Sequence, residues 1–214
     1  SLVYRPPPSD MQPFYCDVDL RFLEEVEMDT TRYCILGSRI AEFISKEYQY
    51  DVVEFLVVKK EKGYWKKING VRKFCMGAHL YFGELLFSLE TSLEIRSACI
   101  SFCDEAFDGL KLDNTYEDCI DARICKRSNG LVLPGCRKYG SPQTGAYLGT
   151  AMCRFNDGET NITDLSPEEF YENFKLEALV DFVFVEPCAQ PVKKSVTTVL
   201  ASPRATDIIA GKIT

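Results

Sequence analysis

The spacing of apolar residues along the chain predicts three helices. Over 19–28 a short helix is indicated by Leu20, Leu23 and Val26. Over 31–48 a longer stripe with charged residues outside it predicts the clearest helix of the first half; its apolar members are Tyr33, Leu36, Ile40, Phe43, Ile44 and Tyr48. The sequence Ser-Pro-Glu-Glu at 166–169 is a capping box and predicts a helix from there to about residue 176.

β-Branched and aromatic residues dominate the middle of the chain and predict an antiparallel meander. Residues 52–58 and 64–68 have the composition of strands. Asn69-Gly70 between 64–68 and 71–79 is a strong hairpin signal, because both residues accept the positive φ of a type I′ turn. Further extended segments are predicted at 81–89, 93–102, 146–155 and 179–185.

This order of elements predicts an α+β fold in which an antiparallel sheet is covered by two or three helices and stabilised by disulfides. Residues 1–13 hold four of the ten prolines, which favours an extended N-terminal arm. We expect one disulfide-linked domain over 14–189, and the Gly- and Pro-rich segment 126–145 marks the boundary if that domain has two lobes. Residues 190–214 are predicted to form a β-rich C-terminal arm.

The order of elements over 31–102, a long helix followed by antiparallel strands, resembles the cystatin arrangement, across less than half of the chain. Cystatin-like inhibitors insert a Q-x-V-x-G hairpin into a protease cleft. The hairpins here instead read Lys-Glu-Lys-Gly at 60–63 and Lys-Ile-Asn-Gly at 67–70. Protease inhibition is therefore not implied by the resemblance.

The ten cysteines are even in number and spread over nearly the whole chain. They contain no C-x-x-C pair, which argues against a zinc ribbon or a thioredoxin-type redox motif. Five disulfides are the simplest interpretation, and they predict an oxidising compartment. The expected disulfide cysteines are Cys16, Cys34, Cys75, Cys99, Cys103, Cys119, Cys125, Cys136, Cys153 and Cys188.

Secretion or the cell surface is therefore the predicted location. A start at Ser1 without an initiator Met agrees with removal of a leader, and Asn161 begins an N-x-T glycosylation sequon. The C-x3-C spacing of Cys99 and Cys103 leaves the mitochondrial intermembrane space as the alternative. No apolar run approaches the roughly 20 residues of a membrane span.

The charge balance argues against nucleic acid as a partner, because a net charge of −7 opposes binding to phosphates. The densest basic segment, 59–73, is interpreted as the solvated face of a strand pair, with an anionic-ligand patch as the alternative. Tyr64 and Trp65 beside its turn are candidate contacts for a protein partner, which includes a second copy of the chain.

Candidate catalytic chemistry is sparse. His79, the only histidine, lies in an apolar strand-like segment and is interpreted as a structural residue; no G-x-S-x-G surrounds any serine. No Gly-rich phosphate loop occurs, so no nucleotide, metal or other cofactor is predicted. The carboxylates clustered at 104–121 favour a solvated acidic face over a calcium site or catalysis; they are Asp104, Glu105, Asp108, Asp113, Glu117, Asp118 and Asp121.

The function predicted from these features is a non-enzymatic extracellular or cell-surface structural protein that engages neighbouring subunits through its terminal arms. One alternative is a secreted monomeric binding or inhibitory module that acts on another protein. The other is a secreted hydrolase that uses two of the carboxylates.

Overall fold

The computed structural model of the protein describes residues 3–4, 11–122, 131–132, 135–136 and 145–173. Its helices are α1 (Thr30–Tyr48), α2 (Leu89–Ala106), α3 (Tyr116–Cys119) and α4 (Pro167–Asn173). Its strands are β1 (Val3–Tyr4), β2 (Met11–Phe22), β3 (Val52–Lys60), β4 (Tyr64–Ile68), β5 (Val71–Ser88), β6 (Leu131–Val132), β7 (Tyr147–Asn156) and β8 (Glu159–Asp164).

The main sheet is antiparallel, and within the described residues its strand order is β2-β5-β3-β7-β8. The long strand β5 lies next to the edge strand β2, which pairs along one of its sides, while β3 and then β4 pair along the other. The helices α1 and α2 pack on one face of this sheet, and the largest cluster of buried apolar side chains lies between them and the strands. We call this the helix-covered face. The predicted α+β class with an antiparallel sheet is thus confirmed.

The helix predicted at 31–48 is confirmed as α1, which begins after the N-cap Asp29. Gly37 lets this helix approach β3 closely, since a Cβ there would lie 2.2 Å from the ring of Phe55. The capping box before α4 is also confirmed: the amide of Glu169 donates to Ser166 Oγ at 3.1 Å, and the amide of Ser166 donates to the Glu169 carboxylate at 2.8 Å.

Two predicted elements are wrong. The segment 19–28 does not form a helix, because residues up to Phe22 continue strand β2, whose side chains alternate between buried and half-exposed. The segment 93–102 is not extended but lies inside helix α2. Its buried residues recur at helical spacing, and Ser88 caps its N-terminus by accepting from the amide of Thr91 at 3.1 Å. The predicted hairpin turn is confirmed, with φ of 50° at Asn69 and 82° at Gly70.

Within the described ranges, none of the predicted disulfides is seen. The eight cysteines among the described residues are free thiols, and all of them except Cys136 are buried. Cys34 and Cys153 come as close as 3.8 Å between sulfur atoms, joining α1 to β7 by a thiol contact. Six of the eight cysteines serve as small apolar side chains in the core beneath the helices, as unoxidised cysteine commonly does; they are Cys16, Cys34, Cys99, Cys103, Cys119 and Cys153.

Several predictions concern residues outside the described ranges. These include Cys125, Cys188, the strand at 179–185, the arm 190–214 and most of the segment 126–145. The division into arms and domain therefore stays a prediction. Among the described residues, no helix is both long enough and apolar enough to cross a membrane.

Candidate active site on the sheet

The strand β2 separates its side chains between two environments. Phe14, Cys16, Val18, Leu20 and Phe22 point to the helix-covered face and are at most 4% exposed. The intervening residues, which include Asp17 and Asp19, lie on the opposite face and are half-exposed. Two carboxylates at positions i and i+2 of a strand stand side by side, about 7 Å apart along the chain. We call this side of the sheet the carboxylate face.

The outer edge of β2 is held by the segment that follows α2. The amide of Asp113 donates to the carbonyl of Arg21 at 2.7 Å, and the amide of Asp121 donates to the carbonyl of Asp17 at 3.2 Å. Asn114 forms two further hydrogen bonds with the backbone of β2, at residues 19 and 21. Because these bonds fix the edge strand on its open side, the two carboxylates sit on rigid backbone. Part of the predicted acidic cluster thus has a structural role here.

The histidine of the chain faces the first carboxylate. His79 on β5 is directly opposite Asp17 in the sheet register, and its Nε2 lies 3.4 Å from Asp17 Oδ1. Its other ring nitrogen, Nδ1, lies 3.1 Å from the hydroxyl of Tyr81, and its ring stacks on that of Tyr147 at 4.4 Å. The tautomer that serves both neighbours carries the proton on Nε2, since a carboxylate only accepts and the Tyr81 hydroxyl can donate.

A buried ammonium group holds the second carboxylate. Lys60 Nζ lies 2.9 Å from Asp19 Oδ1, although Lys60 is only 4% exposed. The two side chains meet across β5 because Gly77 lies between them: a Cβ at Gly77 would be 3.1 Å from both Asp19 Oδ1 and Lys60 Nζ. A side chain at residue 77 would therefore obstruct the ion pair.

The charge of Lys60 is maintained by its neighbours. Burial is the largest single influence and acts to lower the pKa of Lys60, but Asp19, Tyr147, Asp17 and Tyr64 together outweigh it and raise the pKa above its ordinary value. The rings of Tyr64 and Tyr147 lie 5.7 and 5.8 Å from the ammonium. Burial raises the pKa of both tyrosines, for Tyr147 to about 12, so both hydroxyls keep their protons at neutral pH.

The donor set suits a hard divalent cation. Within the described part of the chain, no group of three or more His, Cys, Asp or Glu side chains is arranged to hold a metal ion by itself. Mg²⁺ does not require such a cage, because it usually keeps several waters and takes one or two protein carboxylates together with substrate phosphates. Asp17 and Asp19 fit that pattern, because they are two partly exposed carboxylates on one face of a strand.

Sequence reasoning did not identify this pair of carboxylates. The helical spacing over 19–28 hides Asp19, and Asp17 lies in 14–18, where no element is predicted, although the alternation over 14–22 places both on one face of a strand. His79 is buried and contacted on several sides, as a structural residue would be, yet it also lies beside Asp17. Of the candidate partner contacts, Tyr64 lies near Lys60, whereas Trp65 packs edge-on against Phe74.

Comparison with known proteins points to one family. Residues 6–153, more than half of the chain, match the family model described as the N-terminal AEP domain of the C962R protein. AEP denotes the archaeo-eukaryotic primase, a primase-polymerase type of enzyme domain. No curated protein matches the chain. The matched residues contain Asp17, Asp19, Lys60, Gly77 and His79.

This match overturns the functional predictions made from the sequence. A non-enzymatic structural or inhibitory protein is wrong, because the matched family is an enzyme domain. The exclusion of nucleic acid as a partner is wrong for the same reason: net charge describes the whole chain and not the site. The prediction of a secreted or cell-surface glycoprotein is also contradicted, because the matched domain is related to DNA replication. The argument for glycosylation at Asn161 depended on that location and no longer has its support. The alternative location in the intermembrane space rested on oxidised cysteines, which the described residues do not show.

Proposed function

Because the chain belongs to the family of the C962R N-terminal archaeo-eukaryotic primase domain, we propose that its carboxylate face performs nucleotidyl transfer on a nucleic-acid strand. The observation that carries this proposal is the pair Asp17 and Asp19, which stand side by side on β2 within the matched residues. The substrates are a nucleoside triphosphate and a strand with a free 3′-hydroxyl or an initiating nucleotide.

The reaction replaces one phosphoanhydride bond with one phosphodiester bond. The 3′-oxygen attacks the α-phosphorus, a new P–O bond forms, pyrophosphate leaves with the electron pair of the broken bond, and the hydroxyl proton passes to solvent or to a nearby base. A divalent cation bound at this site would neutralise the charge that develops on the transferring phosphate. Asp17 and Asp19 are the residues that would hold it.

The surrounding residues keep the two carboxylates in place. Lys60 orients Asp19 through the 2.9 Å ion pair, and His79 lies against Asp17. Because His79 is itself fixed by Tyr81 and Tyr147, the first carboxylate is backed by a rigid group. Preorganised groups of this kind lower the barrier, since they need no rearrangement when charge develops on the substrate.

The test is primer extension by the purified chain on a primer–template with a single-stranded overhang, in the presence of Mg²⁺ or Mn²⁺. Asp17→Asn should lower the rate by at least about a hundredfold, since disturbing even the outer partners of a metal ligand lowers activity by about 10–100-fold. Asp108→Asn is the matched control, because Asp108 is exposed and remote from the register of Asp17 and Asp19. Extension by folded Asp17→Asn at the wild-type rate would refute the proposal.

A further inference from the structure

The hairpin formed by β4 and the start of β5 concentrates positive charge in an acidic chain. Residues 59–73 hold seven of the 25 Lys and Arg residues but only one of the 32 Asp and Glu residues. The net charge of the chain is −7, so the rest of the molecule repels phosphates while this segment attracts them. The surface of this hairpin is therefore positively charged, although the net charge of the chain is negative.

The hairpin is a continuous extension of the candidate active site. Strand β5 runs unbroken from His79 and Gly77 to the turn at Asn69-Gly70, and its residues 71–75 pair with β4. At about 3.4 Å per residue, the tip at Val71 lies about 20 Å from Gly77. That length matches about six nucleotide steps of one strand, whose phosphates recur about every 3.4 Å along a duplex axis.

The cations of the hairpin point to both of its faces. Lys66 pairs with Lys73 in the register, and Lys73 has the same parity along β5 as Gly77 and His79, which places both lysines on the carboxylate side. Lys67 pairs with Arg72 on the opposite side. Lys66, Lys67 and Arg72 are exposed. A nucleic-acid strand that leaves the carboxylates along β5 therefore meets Lys66 on its own side of the hairpin, and it meets Lys67 and Arg72 where it passes around the tip to the opposite side.

The exposed cations are not neutralised by the protein, unlike their neighbours. Lys60 is paired with Asp19, and Lys73 with Asp113. Lys66, Lys67 and Arg72 form no ion pair with an acidic side chain in the part of the chain that the structure describes. An ammonium or guanidinium without a protein carboxylate retains its counterions in solution, and their release favours binding of a phosphate chain.

Arg72 is held in place by the tryptophan of the hairpin. Its guanidinium lies 4.8 Å from the centre of the Trp65 ring, and Trp65 packs edge-on against Phe74 at 5.4 Å. Because Arg72 covers the ring, Trp65 supports the cation and is not itself the contacting group. The guanidinium N–H groups are suited to bidentate contact with phosphate oxygens.

We propose that the β4–β5 hairpin binds the phosphate backbone of the nucleic-acid strand that enters the carboxylate face, through Lys66, Lys67 and Arg72. This inference rests on the proposed function, because it assigns the partner of the same site. The contact reads no bases, since cations that meet phosphates position a strand without specifying its sequence.

The test measures binding separately from catalysis. Fluorescence anisotropy in EDTA follows a labelled oligothymidylate, and in a second arm a labelled duplex of equal length, over a salt series. For the single strand, Lys66→Gln/Lys67→Gln should flatten the slope of log K against log [salt] by up to about 1.4, and for the duplex by up to about 1.8. The arm whose change comes nearer to its own ceiling identifies which form of nucleic acid the hairpin contacts.

The control removes equal charge elsewhere. Arg39→Gln/Lys46→Gln takes two exposed cations from the outer side of α1, where both pair with Glu42, and should leave the slope unchanged. Lys66→Arg/Lys67→Arg should restore the wild-type slope. In EDTA, adding Lys66→Gln/Lys67→Gln to Asp17→Asn should flatten the slope by the same amount as it does in the wild type, even where Asp17→Asn extends no primer, so that a failure of the proposed function is seen separately. Equal slopes for Lys66→Gln/Lys67→Gln and the α1 control in both arms would overturn the inference.

Discussion

The two faces of the main sheet use neighbouring residues of one strand for opposite purposes. On the helix-covered face, Val18 and Leu20 are fully buried beneath α1 and α2. On the carboxylate face, the side chains of Asp17 and Asp19 keep 21% and 39% of their surface exposed. The difference shows that burial of apolar side chains on one face supplies the rigidity with which the other face can hold two like charges side by side.

The largest effect is expected when the two environments are exchanged within β2. Val18→Asp places a carboxylate among apolar side chains without a partner, and should lower the free energy of unfolding by about 4 kcal/mol or more. Asp17→Val on the neighbouring position should remain folded, because its side chain is partly in water. Urea unfolding of both variants checks the comparison, and equal losses of stability would show that the two faces are equivalent.

Burial on the helix-covered face is expected to lower the reactivity of its thiols. Burial, opposed by the charge of Arg21, raises the pKa of Cys119 from its ordinary value of 9.0 to about 12. At about pH 8 or below its thiolate is then about 10³-fold scarcer than that of an ordinary thiol, and alkylation should be slower by about that factor. Mass spectrometry of iodoacetamide-treated protein, native and in urea, measures the ratio.

The urea-treated sample is the control for that experiment, since there every thiol has its ordinary pKa. Recovery of Cys119 in a disulfide, or native alkylation as fast as in urea, would contradict the free and buried thiols of the helix-covered face. The same spectra report the state of the other cysteines that the structure shows as free.

A smaller effect is expected within the carboxylate face itself. Asp19→Asn leaves the ammonium of Lys60 buried without its partner and should destabilise the protein by about 3 kcal/mol. Lys60→Met leaves Asp19 partly hydrated and should cost less than about 1 kcal/mol. The double variant should be more stable than Asp19→Asn alone. Urea denaturation of the three variants tests this order, and equal losses for the two single variants would mean that Lys60 is not the buried member of the pair.

The sequence predicts an element correctly where the local pattern of residues fits only one type of structure. The stripe over 31–48 and the turn at Asn69-Gly70 had no competing pattern, and both predictions are confirmed. At 19–28 two patterns overlapped: Leu20, Leu23 and Val26 fit a helix, while the alternation over 14–22 fits a strand that pairs with β5 along its length. The pairing with β5 decides in favour of the strand, and the spacing of residues within 14–28 gives no information about that pairing.

The site was harder to predict because its geometry is made across strands. Lys60 and Asp19 are far apart in the chain and meet only because Gly77 lies between their strands. The alternation that exposes Asp17 and Asp19 was visible in the sequence, but nothing local links it to His79 or Lys60. The disulfide prediction failed for a related reason. An even number of cysteines without a metal-binding motif is equally typical of free thiols buried under helices.

Titration with Mn²⁺, followed by the EPR signal of the free ion, tests most directly whether the carboxylate face is a cation site. The wild-type chain should bind Mn²⁺, and Asp17→Asn should weaken that binding by at least about tenfold. Cys16→Ala, one residue away on the helix-covered face, should bind it as the wild type does. If folded Asp17→Asn binds Mn²⁺ as tightly as the wild type, Asp17 is not a ligand and the assignment of catalysis to this face is contradicted.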